Sequence, residues 1–392
     1  MRPEGASHSQ NTWVVAYYTN TRLLVCNTGS SKNCIFIRYW LFVGDWLLIN
    51  LTMNDEVGLF GYLDRVHELA ERPTALDKLN ESIDWSCFEP VLKEHLNFKD
   101  RSKGGRKPLD SILMFKVLIL QKYYNLSEEE TEFQILDRFS FQRFLGLSVS
   151  DKVPDKNTIW LFKQRLGIPG VSALFDHFSA CLQENGFAVS AGKILDASFV
   201  EVPRQQNSRE ENQQIKSGQI PKDWQSNAAS LRQKDLDARW TTKGGHRYFG
   251  HKNHIKVDRQ SKLIQRWQVT PSNTHDSQAM KPLVESTDGK LYADSAYNSW
   301  LILDWLTTKG IDPQINERAY RNRPLTQEQK VNNRAKSSVR ARVEHVFGFM
   351  TNNMAADRIR CIGLKRATQS IGLGNLVYNL FRFKQLGGSM MS

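Results

Sequence analysis

Two aspartates stand where an apolar strand would carry a Val or an Ile. Asp196 lies inside KILDASFV (193–200), and Asp294 ends the apolar part of KLYADSAY (290–297). A third acid, Glu344, sits in VRARVEHVFGFM, which has helical spacing. A carboxylate buried without a partner is costly, and two or three together repel and shift each other's ionisation. A divalent cation removes both penalties. Oxygen donors without Cys or His partners favour a hard ion, so Mg²⁺ is expected, with Mn²⁺ able to substitute. Two such ions about 3.5–4 Å apart activate a water or a 3′-hydroxyl and stabilise the leaving oxygen in phosphodiester chemistry. Each Asp alone reads better as a cap or an exposed strand end; together, in matching apolar contexts and in this element order, they read as catalytic. Glu344 has its own plain alternative, an i, i+4 pair with Arg340 worth about 0.3–0.5 kcal/mol.

The surrounding elements must bring the three acids together. From Lys193 the pattern alternates short strands and helices. A strand with Asp196 is followed by RYFGHKNHIKVD (247–258) and LIQRWQVT (263–270), joined by a tight turn at 259–262. HDSQAMKPLVE (275–285) reads as a helix, 290–297 as the strand of Asp294, and SWLILDWLTTKG (299–310) as a helix closed by Gly310. DPQIN (312–316) is a short strand, and a helix over about 337–350 carries Glu344. This order describes an α/β fold, a ribonuclease-H-like mixed five-stranded sheet with flanking helices. Its first and fourth strands lie side by side, so Asp196 and Asp294 converge. The stretch 203–245 is Gln-, Asn-, Ser- and Lys-rich and reads as an exposed polar insertion. Before the sheet, residues 53–190 read as an all-helical N-terminal domain. Ser127 and Glu130 match a capping box, and Asp155 or Asn157 caps a helix after Pro154. A closing helix is expected over 371–386.

The formal net charge is +12, which points to a polyanionic partner. It is not evenly spread. Between 318 and 342, Arg318, Arg321, Arg323, Lys330, Arg334, Lys336, Arg340 and Arg342 are opposed only by Glu328. Such a block suits a phosphate backbone, positioning DNA without reading its sequence. The basic hinge SKGGRKPLD (102–110) contributes Arg106 and Lys107, and the helical region as a whole reads as DNA-binding, in the manner of a helix-turn-helix or as a plain bundle. Five scattered cysteines contain no C-x-x-C pair and no zinc-ligand spacing, and read as free thiols of a cytoplasmic protein. No stretch offers about 18 uninterrupted apolar residues, so no membrane partner is expected. His246, His251, His254, His275 and His345 read as structural, and Tyr297 and Trp300 as core.

At these residues the chain resembles the DDE transposases of bacterial insertion sequences, closest to the insertion sequence 5 family. The resemblance is carried by LDASFV, RYFGHKNHIKVD with VTPSNTHDSQ, YADSAY and RARVEHVFGFM in that order, and by GRKPLDSILMFKVLILQ in the helical part. It implies Asp196, Asp294 and Glu344 as the metal ligands and catalytic residues. It implies metal-dependent cleavage at terminal inverted repeats and strand transfer into target DNA, with double-stranded DNA as partner and a homodimer in the synaptic complex. Arg340, four before Glu344, matches the family's Arg. Met350, six after it, stands where a Lys is expected, and Tyr320 is an imperfect match to the family's Tyr. A transposase-derived DNA-binding protein and a ribonuclease-H-like nuclease with another substrate are the alternatives. Residues 1–52 have no counterpart in the family. They are expected to be disordered or translated from upstream DNA, with Met53 as the natural start. The catalytic domain is expected over 191–385, with a tail at 386–392.

Overall fold

The computed structural model describes residues 66–69, 71–96, 108–148, 150–187, 192–205 and 207–390, and the backbone of 13–19, 22–27 and 34–37. The chain divides into Met1–Arg72 and Pro73–Ser392. In the first unit, β1 (Trp13–Thr19), β2 (Arg22–Asn27) and β3 (Cys34–Ile37) form an antiparallel sheet in that order. No strand periodicity announced it. The remainder of the expectation for 1–52 falls outside the described residues.

The second unit opens with helices set by local chemistry. Thr74 and Asp77 form a reciprocal capping box on α1 (Ala75–Ser82). A 3₁₀ turn, Trp85–Phe88, leads into α2 (Glu89–Leu96). Asp110 caps α3 (Ser111–Tyr123), and Ser127 caps α4 (Glu128–Asp137) by accepting from Glu130 N–H, without the reciprocal half of the expected box, since Glu130 Oε1 accepts from Gln134 Nε2 instead. α5 (Phe139–Leu145) ends at Gly146, whose φ of 71° needs no Cβ. α6 (Lys156–Glu184) starts at the Asp155 cap and breaks at Gly167 (φ 58°), just before Pro169. The break falls where the sequence closes its helix, because Pro169 removes a donor and Gly167 tolerates the turn.

The sheet is mixed and six-stranded: β4 (Lys193–Glu201), β5 (Arg239–Lys243), β6 (His246–Asp258), β7 (Ile264–Pro271), β8 (Lys290–Ala293) and β9 (Asp312–Ile315). β4 lies between β6, antiparallel from Lys193↔Asp258 to Glu201↔Gly250, and β8, parallel at Lys193↔Leu291 and Ile194↔Tyr292. β9 runs parallel outside β8, and β7 pairs with β6 as a hairpin. Asp258 holds the hairpin turn, accepting from Gln260 N–H, Ser261 N–H and the Ser261 hydroxyl while Lys193 Nζ approaches at 3.1 Å.

Three expectations give way here. The stretch 203–245 carries three short helices, α7 (Arg209–Lys216), α8 (Lys222–Gln225) and α9 (Ala228–Arg232), and strand β5. The sheet therefore has six strands where five were expected. Ile215, Trp224 and Ala238 are buried in this stretch. The expected helix at 275–285 is a single 3₁₀ turn, Asp276–Ala279, since Pro282 interrupts the repeat. The helix of Glu344 is twice as long as read. After α10 (Trp300–Thr308), α11 spans Gln327–Met354 because Thr326 and Gln329 form a capping box within the basic block.

α12 (Leu364–Gln385) joins the halves. Its residues 371–381 are buried all round, which a helix shows only when enclosed on every side. Gly372 lets the Trp267 ring approach so closely that a Cβ would meet it at 2.4 Å. The Asn375 and Asn253 amides donate to each other at 3.1 and 2.8 Å. Asn379 Oδ1 accepts from Ile264 N–H at 2.8 Å and its Nδ2 donates to the Ile264 carbonyl at 2.7 Å. One apolar core thus contains Phe88, Phe115, Phe178 and Phe381 together with Ile194, Ile255 and Val257 of the sheet. The change at 190 is a change of element type within one core. A separate core, with Leu195, Leu291, Ala293 and Tyr297, covers the opposite face.

Candidate active site

Side chains alternate along a strand, and partners in a parallel pair point the same way. Ile194 and Tyr292 are register partners and both belong to the larger core. Two residues beyond that pair stand Asp196, within β4, and Asp294, just past the end of β8. The apolar face ends there, at the carboxyl end of β8, and open parallel strands present ligands at that end. α11 lies against β4 and β8. Asn333, Lys336, Ser337 and Arg340 all make contacts with the sheet end. Asn333 pairs with the Glu317 backbone, and Ser337 Oγ accepts from Asn316 Nδ2 at 2.9 Å. Arg340 Nη2 reaches Asp196 Oδ2 at 3.2 Å. Glu344 follows in the same i, i+4, i+7, i+11 series, so its Cα shares that face of the helix.

The three acids differ in how they are held. Asp196 is half-buried, with Oδ1 accepting from the Ala197 N–H at 2.8 Å. Burial pushes its carboxyl above the usual range, and Arg340 and the Ala197 N–H only partly pull it back. Asp294 begins the 3₁₀ turn Ser295–Tyr297 without a capping bond from its side chain. Glu344 is exposed. Arg340 therefore pairs with Asp196, 144 positions away, and not with Glu344 as the in-helix alternative required.

A hard divalent ion fits this donor set. The acids supply only oxygens, and the burial of Asp196 is incompletely offset by a single guanidinium. Among the described residues, however, the three carboxylates do not all close to within 4.8 Å of one another. Holding one ion jointly requires at least one of the three side chains to move.

A second group lies around the phenol of Tyr297. Its hydroxyl is buried without a hydrogen-bond partner. Burial first, then Asp276, Asp196 and Asp294, raise its ionisation well above the ordinary value. Asp276 takes Lys252 Nζ at 2.8 Å, and His254 Nε2 lies 2.8 Å from Thr270 Oγ1. None of these residues announces a role in the sequence. An Asp in THDSQ looks like a helix cap until the sheet brings it near the strand acids. His275 does cap the turn, through Ser277 N–H.

The basic residues divide. Arg318, Arg321, Arg323, Lys330, Arg334 and Arg342 are exposed. Lys336 is engaged within the chain, donating to the Ile315 carbonyl at 2.9 Å, and Arg342 donates to the Arg259 carbonyl at 3.0 Å. Arg106 and Lys107 lie outside the described residues. Met350 is buried in the core, so a Lys at that position would have to enter an apolar setting.

Residues 190–380 match the family model described as "Transposase DDE domain", and residues 64–165 match "Transposase domain (DUF772)". Two successive stretches of the chain thus match transposase domains, the second of them of the DDE type. A solved structure, "Cryo-EM structure of piggyBac transposase synaptic complex with hairpin DNA", aligns with 10% identity over 80% of this chain and 76% of that one, at a TM-score of 0.38. At that score it carries no argument about fold or function. Among the described residues no helix is long and apolar enough to cross a membrane.

Proposed function

We propose that this chain binds the terminal inverted repeats of its own mobile element and catalyses divalent-metal-dependent strand cleavage and strand transfer. Asp196, Asp294 and Glu344 are the metal-holding carboxylates on a ribonuclease-H-like sheet. The element is an insertion sequence of the insertion sequence 5 kind, and the protein works on double-stranded DNA as a homodimer or larger synaptic assembly. The observation that supports this reading is the parallel pairing of β4 with β8 at Lys193↔Leu291 and Ile194↔Tyr292, two residues before Asp196 and Asp294, with α11 packed against both strands. Mg²⁺, when bound, supplies Lewis acidity to the attacking and leaving oxygens. The chain's own groups prepare the site. Arg340 compensates Asp196 and fixes its carboxylate. Arg318, Arg321, Arg323, Lys330 and Arg334 form the exposed face that tracks phosphates.

The test uses the full chain with duplex DNA carrying the element's ends, in Mg²⁺, in Ca²⁺ and in EDTA. Nicking at the terminus is expected in Mg²⁺ alone, and Asp196→Ala is expected to abolish it while end binding persists. End binding with no cleavage in any condition would make the protein a DNA-binding derivative. Cleavage by Asp196→Ala would refute the assigned site. Cleavage of RNA–DNA hybrid in preference to the element's ends would make it a different nuclease.

A further inference from the structure

Far from the strand acids in sequence and in chemistry, the helical part gathers a second set of donors. Cys87 belongs to the 3₁₀ turn before α2, and His177 and Cys181 stand one helical turn apart on α6. Their donor atoms all lie within 4.8 Å of one another, and all three residues are half-buried. Cys181 Sγ is 3.8 Å from His177 Nε2. With Zn–S of about 2.3 Å and Zn–N of about 2.0–2.1 Å, a tetrahedral ion sets S···N at about 3.6 Å and S···S at about 3.8 Å. The cluster is already near that spacing before any ion arrives.

We propose that Cys87, His177 and Cys181 form a zinc site that pins α6 to the turn ahead of α2, with water in the fourth position. The donor types choose the metal. Two thiolates and an imidazole are a soft-to-borderline set that selects Zn²⁺ over the Mg²⁺ suited to the strand acids. Two thiolates also balance the charge of the ion. The neighbouring charges are acidic. Asp84 faces Cys87 and Glu184 faces Cys181, and both favour a cation. The site is not legible from spacing. Cys87 and Cys181 are far apart in sequence, and only the packing of α2 on α6 unites them.

The test is a Co²⁺ titration of the reduced full chain, stripped of metal beforehand, read by absorption. A thiolate-to-cobalt charge-transfer band is expected, saturating at one equivalent and displaced by Zn²⁺. Cys181→Ser and Cys87→Ser should each abolish the band while helical circular dichroism is retained. Asp196→Ala should leave it unchanged, which separates this site from the strand acids. Absence of the band in the reduced wild-type chain would overturn the proposal without reliance on any variant. So would a Cys181→Ser protein that still shows it. Recovery of the chain from cells with a Cys87–Cys181 disulfide would also overturn it, assigning the pair to redox chemistry.

Discussion

The same sheet holds two kinds of buried charge. On one face Lys256, fully buried, is closed between Glu285 at 2.7 Å and Asp288 at 2.8 Å. Glu285 also takes Arg266, and these partners outweigh burial to bring its carboxyl down to about 2. Asp235 is closed in the same manner, its oxygens taking the N–H groups of Asp237, Ala238 and Gly363. On the other face Asp196, within β4, has one guanidinium, Asp294, just past β8, makes no capping bond, and Glu344 on α11 is exposed. A fold tolerates buried charge when every partner is built in. Charge left open where the parallel pairing of neighbouring strands stops is what a chemical site needs. That separates support from chemistry without appeal to residue type, since both groups are mostly acids.

If the division is real, function and stability should part company. Asp294→Asn should lower strand cleavage at least about 10³-fold, about 4 kcal/mol of barrier, and leave the denaturation midpoint almost unchanged. A large stability loss with retained cleavage would reverse the assignment. Lys256→Ala should do the opposite. It leaves Asp288 buried and unpaired and should cost about 3–5 kcal/mol in denaturant unfolding. Lys256→Met should recover part of that only if Asp288→Leu accompanies it, since a buried pair is better replaced than broken.

Acid sharpens the same contrast. Burial alone would raise the Asp235 carboxyl, but His251 and three backbone N–H groups bring it to about 2. A depressed folded value means the stabilisation is complete above the ordinary carboxylate value and is lost as pH falls toward 2. Its size is about 2 kcal/mol. Asp235→Asn should flatten that part of the unfolding profile, and an unaltered profile would place the closed charge elsewhere. The smallest effect belongs to the exposed surface. Arg334→Ala should reduce the salt slope of DNA binding by about one and weaken all sequences alike. A change confined to one DNA sequence would instead make Arg334 a base reader.

Much of this was legible in the chain. The strands of the acids, the 259–262 turn, the Ser127 and Asp155 caps and the buried closing helix each follow from local pattern. What escaped depends on partners distant in sequence. Trp224 and Ile215 are buried within a polar stretch, and Asp235 is completed by Gly363, 128 positions on. The partner of Arg340 and the meeting of Cys87 with Cys181 are likewise products of packing. The length of α11 was missed for another reason. A run of bases reads as a loop, yet Lys and Arg are good helix formers once Thr326 supplies the start.

The Asn379 amide has a consequence for assembly. It offers the outermost strand of the hairpin what a neighbouring strand would offer, one acceptor and one donor at the same rung. An unpaired strand edge is a template for another chain. Here the first rung is already taken by a side chain from a helix, so an incoming strand must displace two bonds before it forms any. Copies of this protein brought together are thereby steered away from joining edge to edge at that rung.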